Sequence, residues 1–234
     1  MVVVDPAGVT AATRDGLFTA LAHRTVAAIV LTHHHHDHIG GVRDLAARTG
    51  APVLGHPHTG RHVSFPVDVS LEDGDPVPGG WTALHTPGHA RGHLCLQSPD
   101  GESIVAGDMV AGEGTIVLDP PEGELGRYLD SLRRLATLAP LRLLPAHGPV
   151  IEPAVPLLEH YISHRHHRTA QIAAALAEAG PCPPESLVAS VYPDLPTAFH
   201  AVAARQVRCH LDWLVEQGRA VSSGRDFHTR GTGS

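Results

Sequence analysis

Four consecutive histidines, His33 to His36, run into Asp37 and His38 within the segment Leu31-Thr-His-His-His-His-Asp-His-Ile-Gly-Gly41. These residues hold the most concentrated chemistry in the chain. In an extended segment, residues two apart point the same way, so His33 and His35 can bind one metal ion while Asp37 and His38, past a bend, reach a second. His34 and His36 fill the intervening positions, and with 20 histidines in the chain a histidine-rich low-complexity tract is the plain alternative. Three later segments weigh against it. Trp81 to His89, Ser103 to Asp108 and Leu141 to His147 each lead from an apolar, strand-like stretch into a loop bearing His or Asp. Four strands are therefore expected to deliver ligands to one edge, and a metal site is expected rather than scattered surface histidines.

The elements that must position these residues are readable from periodicity and turn chemistry. Val26 to Leu31 reads as a buried strand, and Gly40-Gly41 followed by Val42 to Arg48 as a turn into a helix, which places the histidines in a strand-to-helix loop. A helix is expected from about Thr10 to His23, a short strand over Ala51 to His56 and a loop from Pro57 to Pro66, whose His56, His58 and His62 are expected to be solvated. Thr86-Pro87-Gly88 is a turn that aims His89 at the site, with His85 a bystander. Asp100-Gly101 signals a hairpin between Leu94 to Gln97 and Ser103 to Ala106, which returns Asp108 to the site. A helix carries Tyr128, Leu132, Leu135 and Leu138 on a core face, with Arg133-Arg134 a solvated pair opposite, and Leu141 to Leu144 is a further strand.

Beyond Pro156 the character changes. A long helix from about Leu157 to Ala179 is broken at Gly180 to Pro184, then come a short helix Glu185 to Val191, another from Thr197 to Gln217, and a β wing between Arg219 and His228. That is the winged-helix order. The division expected is residues 1–153 and 154–234. Arg205 and Arg208 share the would-be recognition helix with Asp212 and Glu216, so it lacks the one-sided basic face that phosphate contacts need. Packing or dimer contact is favoured over duplex DNA. His160, His164 and His167 recur at helical spacing and are read as a solvated face.

Composition adds limits: 42% hydrophobic residues suffice for a core, and no apolar run approaches the ~20 residues of a membrane helix. No secretory signal opens the chain, so a cytoplasmic location and no membrane partner are expected. Cys95, Cys182 and Cys209 lack a Cys-x-x-Cys pair and read as reduced structural thiols, Cys95 in the core. All 17 basic residues are arginine, and the absence of lysine and asparagine reads as GC-biased bacterial coding. The net charge of −7 does not attract polyanions, although bound divalent ions would offset it locally.

The four ligand-bearing segments resemble the metallo-beta-lactamase superfamily, whose loops read Thr-His-x-His-x-Asp-His-x-Gly-Gly, Thr-Pro-Gly-His, Gly-Asp and a late Gly-flanked His. The resemblance implies His33, His35 and His89 on one metal, Asp37, His38 and His147 on the other, and Asp108 bridging them. It implies an α+β fold, an αββα metallo-beta-lactamase sandwich, followed by the winged-helix-like domain. Val2 to Gly8 resembles the strand and turn before the family's first crossover helix, with Asp5 either orienting a ligand from beneath the metals or merely shaping a turn before Pro6. The family's N-terminal hairpins of about fifty residues are missing before this point. A late start codon or a truncation is expected, the latter leaving an open sheet edge that invites a homodimer.

The donor set suits two zinc ions, with manganese and iron also compatible. Two such ions lower the pKa of a bridging water, giving a hydroxide nucleophile held by Asp37 and Asp108. His93, which resembles a residue beside the metals, has either a supporting or proton-transfer role or that of a simple strand histidine; it is the one leaving-group acid the sequence offers. Gly112 to Thr115, His147 to Ile151, Tyr161 to Arg165 and the tail resemble the winged-helix-bearing lactamase-beta-like endoribonuclease branch, which implies cleavage of single-stranded RNA. The wider superfamily implies thioester or lactone hydrolysis of glyoxalase II type on a small molecule. Absent lysine disfavours the usual glutathione-carboxylate grip and a true beta-lactamase, while the acidic charge weakens the RNA reading. A ligand-sensing DNA-binding regulator is a third class, opposed by the intact ligands at all seven positions.

Overall fold

A computed structural model of the chain describes residues 1–8 and 10–230; the last four residues of the expected second domain lie outside the described residues. Strands β1 (Val2–Val4), β2 (Ala28–Val30), β3 (Val53–Gly55) and β4 (Val69–Ser70) form a parallel sheet in that order. Strands β5 (Pro76–Val77), β6 (Trp81–His85), β7 (Leu94–Gln97), β8 (Ser103–Gly107) and β9 (Arg142–Pro145) form a second sheet, antiparallel except for the β8/β9 pair. β2 is buried throughout, because a parallel strand with layers on both faces must be apolar on both.

Helices cover the outer faces. α1 (Ala11–Leu21) starts at a capping box in which Thr10 and Thr13 satisfy each other's backbone N–H groups. α2 (His36–Ile39) is a single turn inside the histidine segment, and α3 (Val42–Thr49) packs Val42 and Leu45 with Leu21 against Val3, Ile29 and Val53. Between the sheets lie Ala28, Val30, Leu54, Ala83, Leu94 and Leu96. After the one-turn α4 (Pro57–Gly60), α5 (Leu125–Thr137) and α6 (Ala154–Ala179) pack Tyr128, Leu132, Leu135 and Leu158 on Ile104 and Leu143 of the second sheet. The layers are therefore α, β, β, α, as expected. Leu138 falls just past the end of α5 and is 36% exposed, so the expected core face ends one turn early; Leu141, 50% exposed, precedes its strand. Arg134 is not a free solvated side chain either, since it pairs with Asp73 at 2.7 Å and donates to the carbonyl of His85.

The remaining elements are a 3-10 turn Pro184–Leu187 running into α7 (Val188–Val191), a second 3-10 turn Thr197–Phe199 running into α8 (His200–Glu216), and a two-stranded wing, β10 (Ala220–Ser223) with β11 (Asp226–Thr229). Ile172 and Leu176 from the far half of α6 share a core with Leu187, Val207, Leu211 and Phe227, while Ala154, Leu158 and Tyr161 from its near half belong to the first core. The long helix thus serves both units. Gln206 of α8 clamps the backbone of Leu118 at N–H and carbonyl, and the buried Arg165 donates to the carbonyl of Ile116 at 2.6 Å. Cys95, Cys182 and Cys209 are free and buried.

Candidate metal centre

β2 ends at Val30, and Thr32 and His33, both fully buried, continue its line. α2 then bends the chain so that Asp37 and His38 approach from a second direction. The loops after β6, β8 and β9 add His89, Asp108 and His147. The structure brings all seven expected ligands together. The ligand atoms of His33, His35, His89 and Asp108 lie within 4.8 Å of one another, as do those of Asp37, His38 and His147. Asp108 faces both groups: Oδ2 is 3.4 Å from His89 Nε2, and Oδ1 is 3.4 Å from His38 Nε2 and 3.5 Å from His147 Nε2. The first group is buried apart from His35, whereas the side chains of Asp37 and His147 are 58% and 48% exposed, so solvent reaches the site from their side.

Hydrogen bonds behind the histidines decide which nitrogen each presents. Asp5 accepts from the Thr32 N–H at 2.7 Å, the Thr32 hydroxyl at 2.6 Å and His38 Nδ1 at 2.8 Å. With its hydroxyl proton committed to Asp5, Thr32 accepts from His33 Nδ1 at 2.9 Å. His89 Nδ1 donates to the carbonyl of Val117 at 3.0 Å. His33 and His89 therefore hold their protons on Nδ1 and turn an unprotonated Nε2 inward, the arrangement by which outer partners prepare metal ligands, while Asp5 fixes the Nδ1 proton of His38, whose Nε2 faces Asp108 and gives up its own proton only to a bound cation.

That arrangement tests whether the residues fit a cation. His33 Nε2 and His89 Nε2 face each other at 3.2 Å, and His35 Nδ1 stands 2.9 Å from each. The two opposed Nε2 lone pairs of His33 and His89 repel at that distance unless a positive charge, or a proton on His35 Nδ1, sits between them. His38 Nε2 and Asp108 Oδ1 are buried without a hydrogen-bond partner. Burial pushes His38 down, but the facing carboxylates of Asp108 and Asp5 outweigh it and raise its pKa to about 10. Burial opposes the charge on Asp108 as well, yet His38, His89 and His147 hold it at about 2. Burial and neighbouring rings lower His89 to about 4, so it remains a neutral ligand. The donor set of imidazoles and carboxylates fits a divalent ion of the zinc type.

His93 lies behind this site. It is fully buried, its Nε2 accepts from the Asp108 N–H at 3.1 Å, and its Nδ1 meets the Thr86 hydroxyl at 2.9 Å. Both nitrogens are committed and burial holds the ring neutral, so the expected role as leaving-group acid gives way to that of a support for Asp108. Gly107 adjoins it at φ +48°, where an added Cβ would stand 2.6 Å from His93 Nε2. Gly88 is equally constrained: at φ +136°, a Cβ would fall 2.2 Å from Tyr128 Cα, so the turn that aims His89 rests directly on α5. Asp5 lies beneath His38, the place that the first of its two expected roles requires. His85 stays outside the centre and stacks on His56 at 4.3 Å. The sequence marks Thr86 only as part of the turn before His89 and does not mark Thr32 or the Val117 carbonyl as supports; a Thr shortly before each of His33 and His89 is the available signal.

Two family models match the chain: that of the metallo-beta-lactamase superfamily covers residues 2–147, and that of the beta-lactamase associated winged helix domain covers 184–229. Beta-lactamase-like protein 2 homolog of Drosophila melanogaster is 31% identical over 228 residues, 86% of this chain and 73% of its own length. Lactamase-like protein nscB of Arthroderma benhamiae is 38% identical over 152 residues, 63% of this chain but 33% of its own. Among solved structures, a metallo-beta-lactamase family protein of Thermus thermophilus superposes with a TM-score of 0.81 at 24% identity, covering 97% of this chain and 89% of that one, a likeness of fold. The chain belongs to the metallo-beta-lactamase superfamily, whose members are generally hydrolases, and carries its His/Asp metal-binding cluster.

Proposed function

We propose that this superfamily member is a hydrolase working with two divalent ions, zinc foremost, on an ester or thioester bond of a small molecule. The proton-free Nε2 atoms of His33 and His89, opposed at 3.2 Å beside Asp108 within a cluster of seven His and Asp side chains, are the observation that carries the metal-dependent reading. Divalent ions held by these seven residues would supply Lewis acidity and a water activated near neutral pH. Asp108 keeps the two ligand groups in register, and its own backbone is held by His93. Asp37, at the exposed end, is the carboxylate placed to take a proton from the attacking water.

The choice of bond follows from the leaving group. Sealed behind Asp108, His93 offers no proton to a departing atom; a thiolate leaves without protonation, whereas a ribose oxygen benefits from one. The arginines of the winged-helix face are also engaged: Arg205 pairs with Asp119 at 3.1 Å, and Arg208 with Asp212 at 2.8 Å while lying over the Phe227 ring. Cleavage of single-stranded RNA is the second reading, supported by the resemblance of the loops and tail to the endoribonuclease branch.

Hydrolysis of a thioester panel and of labelled single-stranded RNA by metal-quantified protein, side by side, separates the two. Thioester turnover alone is expected. RNA cleavage alone would replace this reading with the second, and turnover of neither would reject both.

A further inference from the structure

At the rim of the centre, three segments bring another set of donors together. His58 lies on α4, His62 follows it, and Glu122 lies in the loop before α5. A ligand atom from each lies within 4.8 Å of the others. His58 Nδ1 is buried without a hydrogen-bond partner, and it stands 3.9 Å from Glu122 Oε2. That separation is too long for a hydrogen bond. It is close to the spacing of two donors on one ion, since bonds of roughly 2.0–2.2 Å at a tetrahedral angle place them about 3.3–3.6 Å apart and a small side-chain turn closes the difference.

The pieces are held in advance. Thr59 donates to the Gly92 carbonyl at 3.2 Å, and a Cβ at Gly92 would stand only 2.8 Å from Thr59 N, so α4 lies directly on the chain after His89. Glu122 Oε2 receives the Arg91 N–H at 3.3 Å from the same chain. The His62 ring stacks on His58 at 4.9 Å and on His34 at 4.5 Å. His34 sits between His33 and His35, so the rim cluster touches the loop that carries the main ligands.

We propose that His58, His62 and Glu122 form an additional cation site for a divalent transition ion, separate from the seven-residue centre. Two imidazoles and one carboxylate select zinc, nickel or cobalt over magnesium or calcium, which take oxygen donors. An ion there joins α4, the Arg91 segment and the loop before α5 into one rim beside His34. The site stands whichever bond the main centre cleaves.

The test is calorimetric titration of zinc into holoprotein already carrying its tight metal complement, with cobalt spectra as a second readout. One further ion per chain is expected. His62→Ala and Glu122→Gln should each weaken that event at least tenfold while the tight complement and the melting temperature stay unchanged. His160→Ala, on the exposed face of α6, should leave it unaffected. Absence of a further ion, or a further ion bound equally by the His62→Ala/Glu122→Gln double variant, overturns the proposal.

Discussion

Asp5→Asn is the substitution that probes the preparation of the centre most sharply. Asp5 Oδ1 accepts from the Thr32 N–H, and Oδ2 accepts from both the Thr32 hydroxyl and His38 Nδ1. An asparagine can keep the first bond through its carbonyl, so the turn and the fold persist. Its amide then replaces Oδ2 and donates where the carboxylate accepted. His38 must answer by accepting on Nδ1, which moves its proton to Nε2, the nitrogen that faces Asp108 at 3.4 Å. The ligand would be in the wrong tautomer. Removing such an outer partner costs about 10–100-fold in metal affinity, or about 1.4–2.7 kcal/mol. Competition against a fluorescent chelator should show that loss for an ion at Asp37, His38 and His147, with a smaller change for the ion at His33, His35 and His89. The loss of one charge-assisted hydrogen bond should cost about 1–3 kcal/mol of stability. Metal affinities within twofold of wild type in a folded Asp5→Asn protein would refute the tautomer argument.

Other outcomes follow from the same geometry. His210 is buried against Thr169, and burial followed by repulsion from Arg165 and Arg168 lowers its pKa to about 3. Its neutral form therefore contributes stability that is full above the unfolded pKa near 6.5 and is lost as pH falls toward 3, by up to about 1.4 kcal/mol per pH unit. Denaturant titrations from pH 7 to pH 4.5 should show His210→Leu with a shallower pH slope than wild type; equal slopes would contradict this. Gly107→Ala should lower stability by about 2–4 kcal/mol through backbone strain and overlap with His93, seen as a fall in melting temperature accompanied by weaker metal binding. His93→Gln, which retains an acceptor for the Asp108 N–H, should preserve the shape of the pH–rate profile; loss of one limb would restore His93 as a proton donor.

The ligand set was legible because each member ends a strand and sits in a short string with a turn residue beside it: Thr-Pro-Gly before His89, Gly before Asp108, and Ala146 with Gly148 around His147. The layer order was legible from apolar runs and helical periodicity. The supports behind the ligands were not. Val117 holds His89 across 28 residues and Asp5 holds His38 across 33, and pairings that long leave no local spacing to read. His93 misleads for a related reason, because a histidine just before a strand and near metal ligands looks the same whether it faces the site or the core. His58 and His62 were read as solvated loop histidines; only the fold brings Glu122 and the ring of His34 to them. Leu138 and Leu141 show that an apolar pattern locates a face well and its last turn poorly.

If the seven-residue cluster works as a metal centre, metal content and hydrolysis must rise and fall together when one preparation is followed through chelation and re-addition. Turnover should vanish with the ions, return with zinc in proportion to occupancy, and fail to return in a folded Asp37→Ala protein. Hydrolysis that persists after the ions are gone, or that Asp37→Ala retains with metal content unchanged, would contradict the account.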